Sequence, residues 1–456
     1  MDSDRSLKDQ AITTPIHRTM HIALGLVAGV VLTFSAALPV AAEDEFQVNT
    51  YTTSAQISAG VSCDAGGGFV VVWQSREQDG DGYGAFGQRY DGTGMEVGTE
   101  FQINTYTTNS QQDPAVSTGS DGDFIVVWES NGQDGDGNGV FGQRYDGTGL
   151  EVSTEFQINT YTTNGQQDPD VSTESNGDFV AVWESSAQDG SSFGVFAQRY
   201  DSSGMKVGAE FQVNTYTSGR QDDPAVSSDT DGDFVVVWRE ESGLDGDSNG
   251  VFAQRYDSSG MKVGTEFQVN TYTTNDQNQP AVCCDAAGDF VVVWTSYQDG
   301  DEYGVFGQRY ASNGTAQGSE FQVNSYTTGY QYYASVSCEP DGAFVVAWSG
   351  DHDGDGYEVF ARRYDSAGNE VGGEFQVNTY TTGSQKVPVV CCDAKGDFVV
   401  AWESPDGDRD GIFGRTFLAD PLVRAAPTLS TAGLLVAAFL LALLGSIALR
   451  NRSRPG

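Results

Sequence analysis

Six of seven copies of a repeated segment carry two aspartates two residues apart, a spacing that suits a hard cation. The pairs are Asp79 and Asp81, Asp134 and Asp136, Asp245 and Asp247, Asp299 and Asp301, Asp353 and Asp355, and Asp406 and Asp408. Carboxylates at i and i+2, an oxygen donor at i+4 and glycine at i+5 can wrap calcium within one turn. The copies at Asp134, Asp245 and Asp406 supply that oxygen as Asn138, Asn249 and Asp410, whereas the third copy departs with Asp189-Gly190-Ser191. Two or three carboxylates fall short of a full shell, so backbone carbonyls and water must complete it and the sites are expected to be weak. Aspartate and glycine also make good turns, and Asp121-Gly122-Asp123 occupies a second hairpin. Both readings stand at this level.

Other reactive side chains are few. Of three histidines, His17 and His21 lie near the start, leaving His352 alone in the repeats. The usual general base and soft-metal ligand are therefore scarce. The acids and bases that do not repeat are His352, Glu240-Glu241 and Arg409. Arg89, Arg144, Arg199, Arg255, Arg309 and Arg363 share one repeat position, with Thr416 in the seventh copy. They are expected to bond neighbouring backbone. The six cysteines cluster as Cys63, Cys283, Cys284, Cys338, Cys391 and Cys392. Alignment by repeat sets Cys392 beside Cys63 and Cys284 beside Cys338, either as disulfides of an exported protein or as small buried thiols.

These residues hang on a ruler of tryptophans. Trp73, Trp128, Trp183, Trp238, Trp294, Trp348 and Trp402 follow one another at 54 to 56 residues, and a fixed period of this size marks a repeat architecture. Each copy holds four strand-like runs, exemplified by Pro114 to Ser117, Gly122 to Trp128, Val140 to Tyr145 and Glu155 to Asn159. The second run is apolar on both faces, so it is buried on both; the fourth alternates as an outer strand does. The first, small and proline-bearing, fits an edge crowded around an axis. Four-stranded blades packed face to face make an all-β, seven-bladed β-propeller. Phase supports a closed ring. Glu45 to Asn49 is an outer strand without a blade before it, and Ile412 to Phe417 is a third strand without an outer strand after it. An open β-solenoid would need no such offset.

Net charge is −41 over 456 residues, which excludes nucleic acid and anionic membrane surfaces as partners, since both reward clustered Lys and Arg. Residues 1–42 read as a signal peptide, with an apolar run from Ile22 to Leu38 and cleavage after Ala42. The propeller then spans 43–420, a linker 421–431, an apolar helix 432–449 long enough to cross a bilayer, and a basic end 450–456. Ala426-Pro427-Thr428-Leu429-Ser430, that helix and Arg450, Arg452 and Arg454 together resemble the C-terminal sorting tails of Gram-negative bacteria, the PEP-CTERM and IPTL-CTERM types. The resemblance covers about 30 residues, and Ala426 stands where the second type has Ile. It implies export, transient anchoring in the cell envelope and a possible sorting protease as partner.

The loops carrying the aspartates and those carrying Tyr51, Tyr106, Tyr161, Tyr216, Tyr272, Tyr326 and Tyr380 fall on one face of such a ring. The expected function is a surface-attached binding or adhesion module for an extracellular protein or glycan, calcium-dependent and without catalysis. The alternatives are a secreted carbohydrate-active hydrolase or lyase, or a surface-coat component. An enzyme should break the repeat with acids of its own.

Overall fold

In a computed structural model of the protein, residues 41–300, 302–352 and 356–419 are described. Asp301, Asp353 and Asp355, nearly all of the expected leader, the sorting motif, the membrane helix and the basic end lie outside the described residues. Among those described, no helix is long and apolar enough to cross a membrane.

Seven antiparallel sheets are described, one per repeat. Blade 2 shows the pattern: an inner strand Gln111–Thr118, a second Phe124–Asn131, a third Asn138–Tyr145 and an outer strand Phe156–Gln157, hydrogen-bonded in that order. Blade 7 has its own inner strand Lys386–Cys392, second strand Phe398–Pro405 and third strand Asp410–Leu418. Its outer strand comes from the other end of the repeats, because Phe46–Gln47 pairs with Asp410–Leu418, Phe46 opposite Gly414. The ring closes as the phase of the repeats requires, and no edge is left open there.

The core lies between blades. Each second strand is apolar on both faces, so one face packs backward and the other forward. Val70, Val72 and Ala85 of blade 1 thus meet Phe124, Val126 and Trp128 of blade 2. All seven tryptophans are fully buried in such joints. The seam uses the same joint: Trp73 and Phe69 of blade 1 pack with Val399, Ala401 and Ile412 of blade 7 and with Val48.

Polar clamps repeat with the same period. A glutamate on each outer strand accepts from the loop one repeat back, as Glu100 does from the Thr50 amide at 2.6 Å. Glu45 closes the series on the Thr379 amide at 2.6 Å. Arg89 donates to the Gly147 and Thr148 carbonyls of the next blade, and Arg144, Arg199, Arg255 and Arg309 do likewise. Arg363 instead faces Glu339. Around the axis, the hydroxyl of Ser62 accepts from the Thr118 amide and that of Ser117 from the Thr173 amide, at 3.0 and 2.9 Å.

Two expectations need correction. The disulfides are Cys63–Cys391 and Cys283–Cys338, so the bridging member of each Cys-Cys pair is the first, not the second. Successive residues of a strand face opposite sides. Cys391 and Cys283 occupy the place of the bridging serines and face the next blade, whereas Cys392 and Cys284 face back to the Ser337 and Ser227 carbonyls. The second correction concerns the inner strand, which starts at Gln111 rather than Pro114. It carries a bulge: pairing with the second strand jumps from Gln112 to Ala115, and Asp113 sits at φ 49°. Pro114 falls within the bulge, where its missing amide costs no ladder bond.

Candidate active site

The seven inner strands stand side by side around the axis, so their first residues ring one mouth of the propeller. Some mouth positions are constant. Gln111 is fully buried and accepts from Asn104 at 3.1 Å, and Gln166 accepts from Asn159 at 2.9 Å in the same way. The positions beside these are not constant. At the bulge stand Ser58, Asp113, Asp168, Asp223, Gln279, Tyr333 and Val387, all at positive φ. Directly after the tryptophans stand Gln74, Glu129, Glu184, Arg239, Thr295, Ser349 and Glu403. The backbone repeats and the chemistry does not.

Acids gather on blades 2 to 4. Oxygens of Asp113, Glu129 and Asp168 lie within 4.8 Å of one another, the one such group among the described residues. Two blades build it: the bulges of blades 2 and 3 supply the aspartates, and the strand after Trp128 supplies the glutamate. Bulges re-aim a side chain out of strand alternation, which suits this use. Glu129 is almost fully buried, accepts from the Asp168 amide, and takes a 3.2 Å bond from Asn138 Nδ2. Burial, reinforced by the two aspartates, pushes its carboxyl up to about 8. Asp168 is raised to about 6, by burial first and then by Asp113, Asp223 and Asp222. Burial also raises Asp113, but side-chain bonds from Ser58 and Gln112 work against it.

Glu184 extends the arc. It is fully buried, and burial with Asp168 and Asp222 raises it to about 8 against the pull of Arg220. Arg220 reaches its Oε1 at 3.3 Å, while its Oε2 has no hydrogen-bond partner. Arg239 then binds Asp222 through Nε at 2.7 Å and Asp223 through Nη1 at 3.5 Å. Both cations of this arc are therefore occupied by acids.

Aromatic side chains gather on blades 5 and 6. A cavity of about 500 Å³ opens there, lined by Asp223 and Arg239 at its acidic end and by Tyr303, Tyr330, Tyr332 and Tyr357 beyond. Tyr332 and Tyr357 meet edge to face at 4.9 Å and 83°, and Tyr303 and Tyr330 lie 6.3 Å apart.

The residues expected to hold a cation lie in the loops between second and third strands, and their carboxylates have local partners. Asp134 Oδ1 accepts from the Asp136 amide at 3.2 Å, and Asp136 Oδ2 from the Asn164 amide of the following loop at 3.2 Å. Asp79 with Asp81, Asp245 with Asp247 and Asp406 with Asp408 repeat the pattern. The glycine at i+5 is needed because the first aspartate folds over it: a Cβ on Gly139 would meet Asp134 Oδ2 at 2.8 Å. Asp299 lies over Gly304 in the same manner. The residues at i+4 do not join the pairs. Asn138 goes to Glu129, Asn249 to Asn278 and Asp410 to Lys386.

Among the unrepeated candidates, His352 stacks on Phe360 and faces Glu374 at 3.7 Å, Glu240 binds Gln221 at 3.1 Å, and the Arg409 carbonyl closes a turn on the Asp406 amide. Glu129, Glu184, Asp113 and Asp168 were not among them. Their signal was present: in a repeat so regular, a column reading Gln, Glu, Glu, Arg, Thr, Ser, Glu after an invariant tryptophan marks a position released from the scaffold.

No protein-family model and no curated protein matches the sequence. Solved structures do match in fold. A protein of unknown function from Dyadobacter fermentans aligns at TM-score 0.52 and 12% identity, covering 84% of this chain and 100% of that one. The α-L-arabinofuranosidase of Fusarium graminearum with arabinobiose aligns at 0.46 and 12%, over 66% and 91%. The Penicillium chrysogenum α-L-arabinanase with arabinobiose aligns at 0.47 and 11%, over 82% and 98%. At these identities the likeness is one of fold. The expectation of an adhesion module without catalysis is nonetheless overturned. The mouth carries a cluster of buried carboxyl groups that the seven-fold scaffold does not require and that a binding module without catalysis does not foresee.

Proposed function

We propose that the chain is a carbohydrate-active hydrolase acting at the acidic half of the mouth. The observation that carries this reading is the set Asp113, Glu129 and Asp168, three carboxyl groups within 4.8 Å whose surroundings separate their proton affinities. Glycoside hydrolysis needs one carboxylic acid to protonate the leaving oxygen and one carboxylate to attack the anomeric carbon or activate water. Asp168, pressed by neighbouring acids, holds a proton more readily and is the general acid. Asp113, held by Ser58 and Gln112, carries the charge. Both are half-buried, whereas Glu129 is buried. Glu129 is neutral at pH 7 and positions the pair through its bond to the Asp168 amide. The short separation resembles the about 5–5.5 Å of retaining enzymes more than the about 6.5–9.5 Å of inverting ones.

Purified chain should release sugar from a member of a panel of arabinan, xylan, mannan and aryl glycosides. Asp168→Asn and Asp113→Asn should each lower that rate by about 10²–10⁴-fold with melting unchanged. A panel without turnover, or full activity in either variant, sinks the reading.

A further inference from the structure

Resting on the hydrolase reading, we infer that the tyrosine-lined cavity is the binding cleft for a chain of uncharged sugars, which runs from the acids across blades 5 and 6. Three observations carry it. The cavity abuts the blade 4 end of the acid arc, since Asp223 and Arg239 line it and Arg239 is bonded to Asp222 and Asp223. Its volume, about 500 Å³, lies within the range of small-molecule sites. Its walls are tyrosines, which offer a flat apolar face to a sugar ring and a hydroxyl to the sugar's own.

The aromatics also break the repeat. Tyr330 stands where the other blades have Ala55, Ser110, Gly165, Arg220, Asp276 and Ser384, and Tyr332 where they have Ile57, Gln112, Gln167, Asp222, Asn278 and Lys386. No packing need of the scaffold calls for tyrosine at positions that six other blades fill with such different side chains. Tyr330 remains 38% exposed, a wide face left in water.

Charge selects the class of sugar. Arg239 is the one cation among the lining residues, and both of its acid contacts are in place. A uronate or sialate would find no uncommitted cation in the lining and would meet Asp223 and the acid arc at close range. A neutral oligosaccharide loses nothing to that field, and its hydroxyls can bond to Gln279 and Thr295, which line the same cavity.

The experiment measures binding apart from turnover. Titration calorimetry on the full chain carrying Asp168→Asn uses neutral arabino-, xylo- and mannohexaose, with oligogalacturonate of equal length as the charged probe. One neutral hexaose should bind, and oligogalacturonate should bind more weakly. Tyr332→Ala should weaken binding by about tenfold, the size of one lost aromatic contact. Tyr330→Ala, at an exposed position, should act in the same direction without risk to folding. Stronger binding of oligogalacturonate, no binding of any neutral hexaose, or unchanged binding in both tyrosine variants overturns the inference. Neutral hexaose binding without hydrolysis by the unmutated chain leaves the cleft standing and overturns the hydrolase reading instead.

Discussion

The two ends of the inner strands differ in kind. At one end the residues recur from blade to blade: a serine hydroxyl takes the next strand's amide, and an arginine holds the next blade's turn. At the mouth, an unvarying glutamine and bulge hold side chains that change around the ring: acids on blades 2 to 4, tyrosines on blades 5 and 6. Where a residue must satisfy a neighbouring blade, the ring keeps the same residue in most blades. Where it faces the mouth, the ring demands no one residue. Regularity in this chain measures structural duty, and its loss marks positions released from the scaffold.

Four measurements can break or sharpen that contrast. The largest effect is expected within the repeated scaffold. Trp183 is fully buried, and Trp183→Ala should cost about 3–5 kcal/mol by removing the joint between blades 2 and 3. Comparable loss from Asp113→Asn in chemical denaturation would erase the distinction between scaffold and mouth.

Next comes the seam. Replacing Cys63 and Cys391 together by serine should cost about 2–4 kcal/mol, because the seam keeps its packing but loses its covalent tie. Peptide mapping without reductant should find Cys63 linked to Cys391, Cys283 linked to Cys338, and Cys284 and Cys392 free.

A smaller effect belongs to the mouth. Glu129 and Glu184 are raised to about 8 and Asp168 to about 6, against about 4 when unfolded. The folded chain therefore holds protons that the unfolded chain releases, and stability falls as pH rises. The stabilisation is fully present below about pH 4 and is lost as pH passes through 6 to 8. Melting should be higher at pH 5 than at pH 8.5, and Glu129→Gln with Glu184→Gln should flatten the slope. The proposed hydrolysis, with Asp168 as its acid, should decline above about pH 6. A slope unchanged in the double variant would remove these groups as its cause.

The smallest effect tests calcium at the Asp-Gly-Asp loops. Millimolar calcium should raise the melting temperature if the spacing binds it, at a dissociation constant of about 10⁻⁴–10⁻³ M. Asp134→Asn with Asp136→Asn should reduce that rise, and Asp121→Asn with Asp123→Asn should not. No shift with calcium leaves the loops as turns clamped to the following blade.

The period, the four strands and the borrowed outer strand were legible because each depends on residues that recur, and recurrence needs no structure to be seen. The disulfide partners were half legible. Blade adjacency follows from the repeat, but the choice between Cys391 and Cys392 depends on which way each side chain faces around the axis. The acids were not recognised for two physical reasons. Sequence alone starts the inner strand at Pro114, which leaves Asp113 in the loop before it. And Asp113 and Asp168, 55 residues apart, become neighbours only when two blades are stood side by side. A cluster assembled between repeats leaves no local motif.

The bond from Cys63 to Cys391 has a topological consequence. It ties two residues 328 positions apart, so blades 2 to 6, most of blade 1 and the inner strand of blade 7 belong to one covalent hoop. A single protease cut in any loop between them yields no separate fragments, because both pieces stay linked through the sulfurs. Tension applied between the termini bypasses the chain from Cys63 to Cys391 and falls on the seam strands alone. Such a hoop tolerates nicks and pulling that would unravel an open chain, as long as its surroundings do not reduce it.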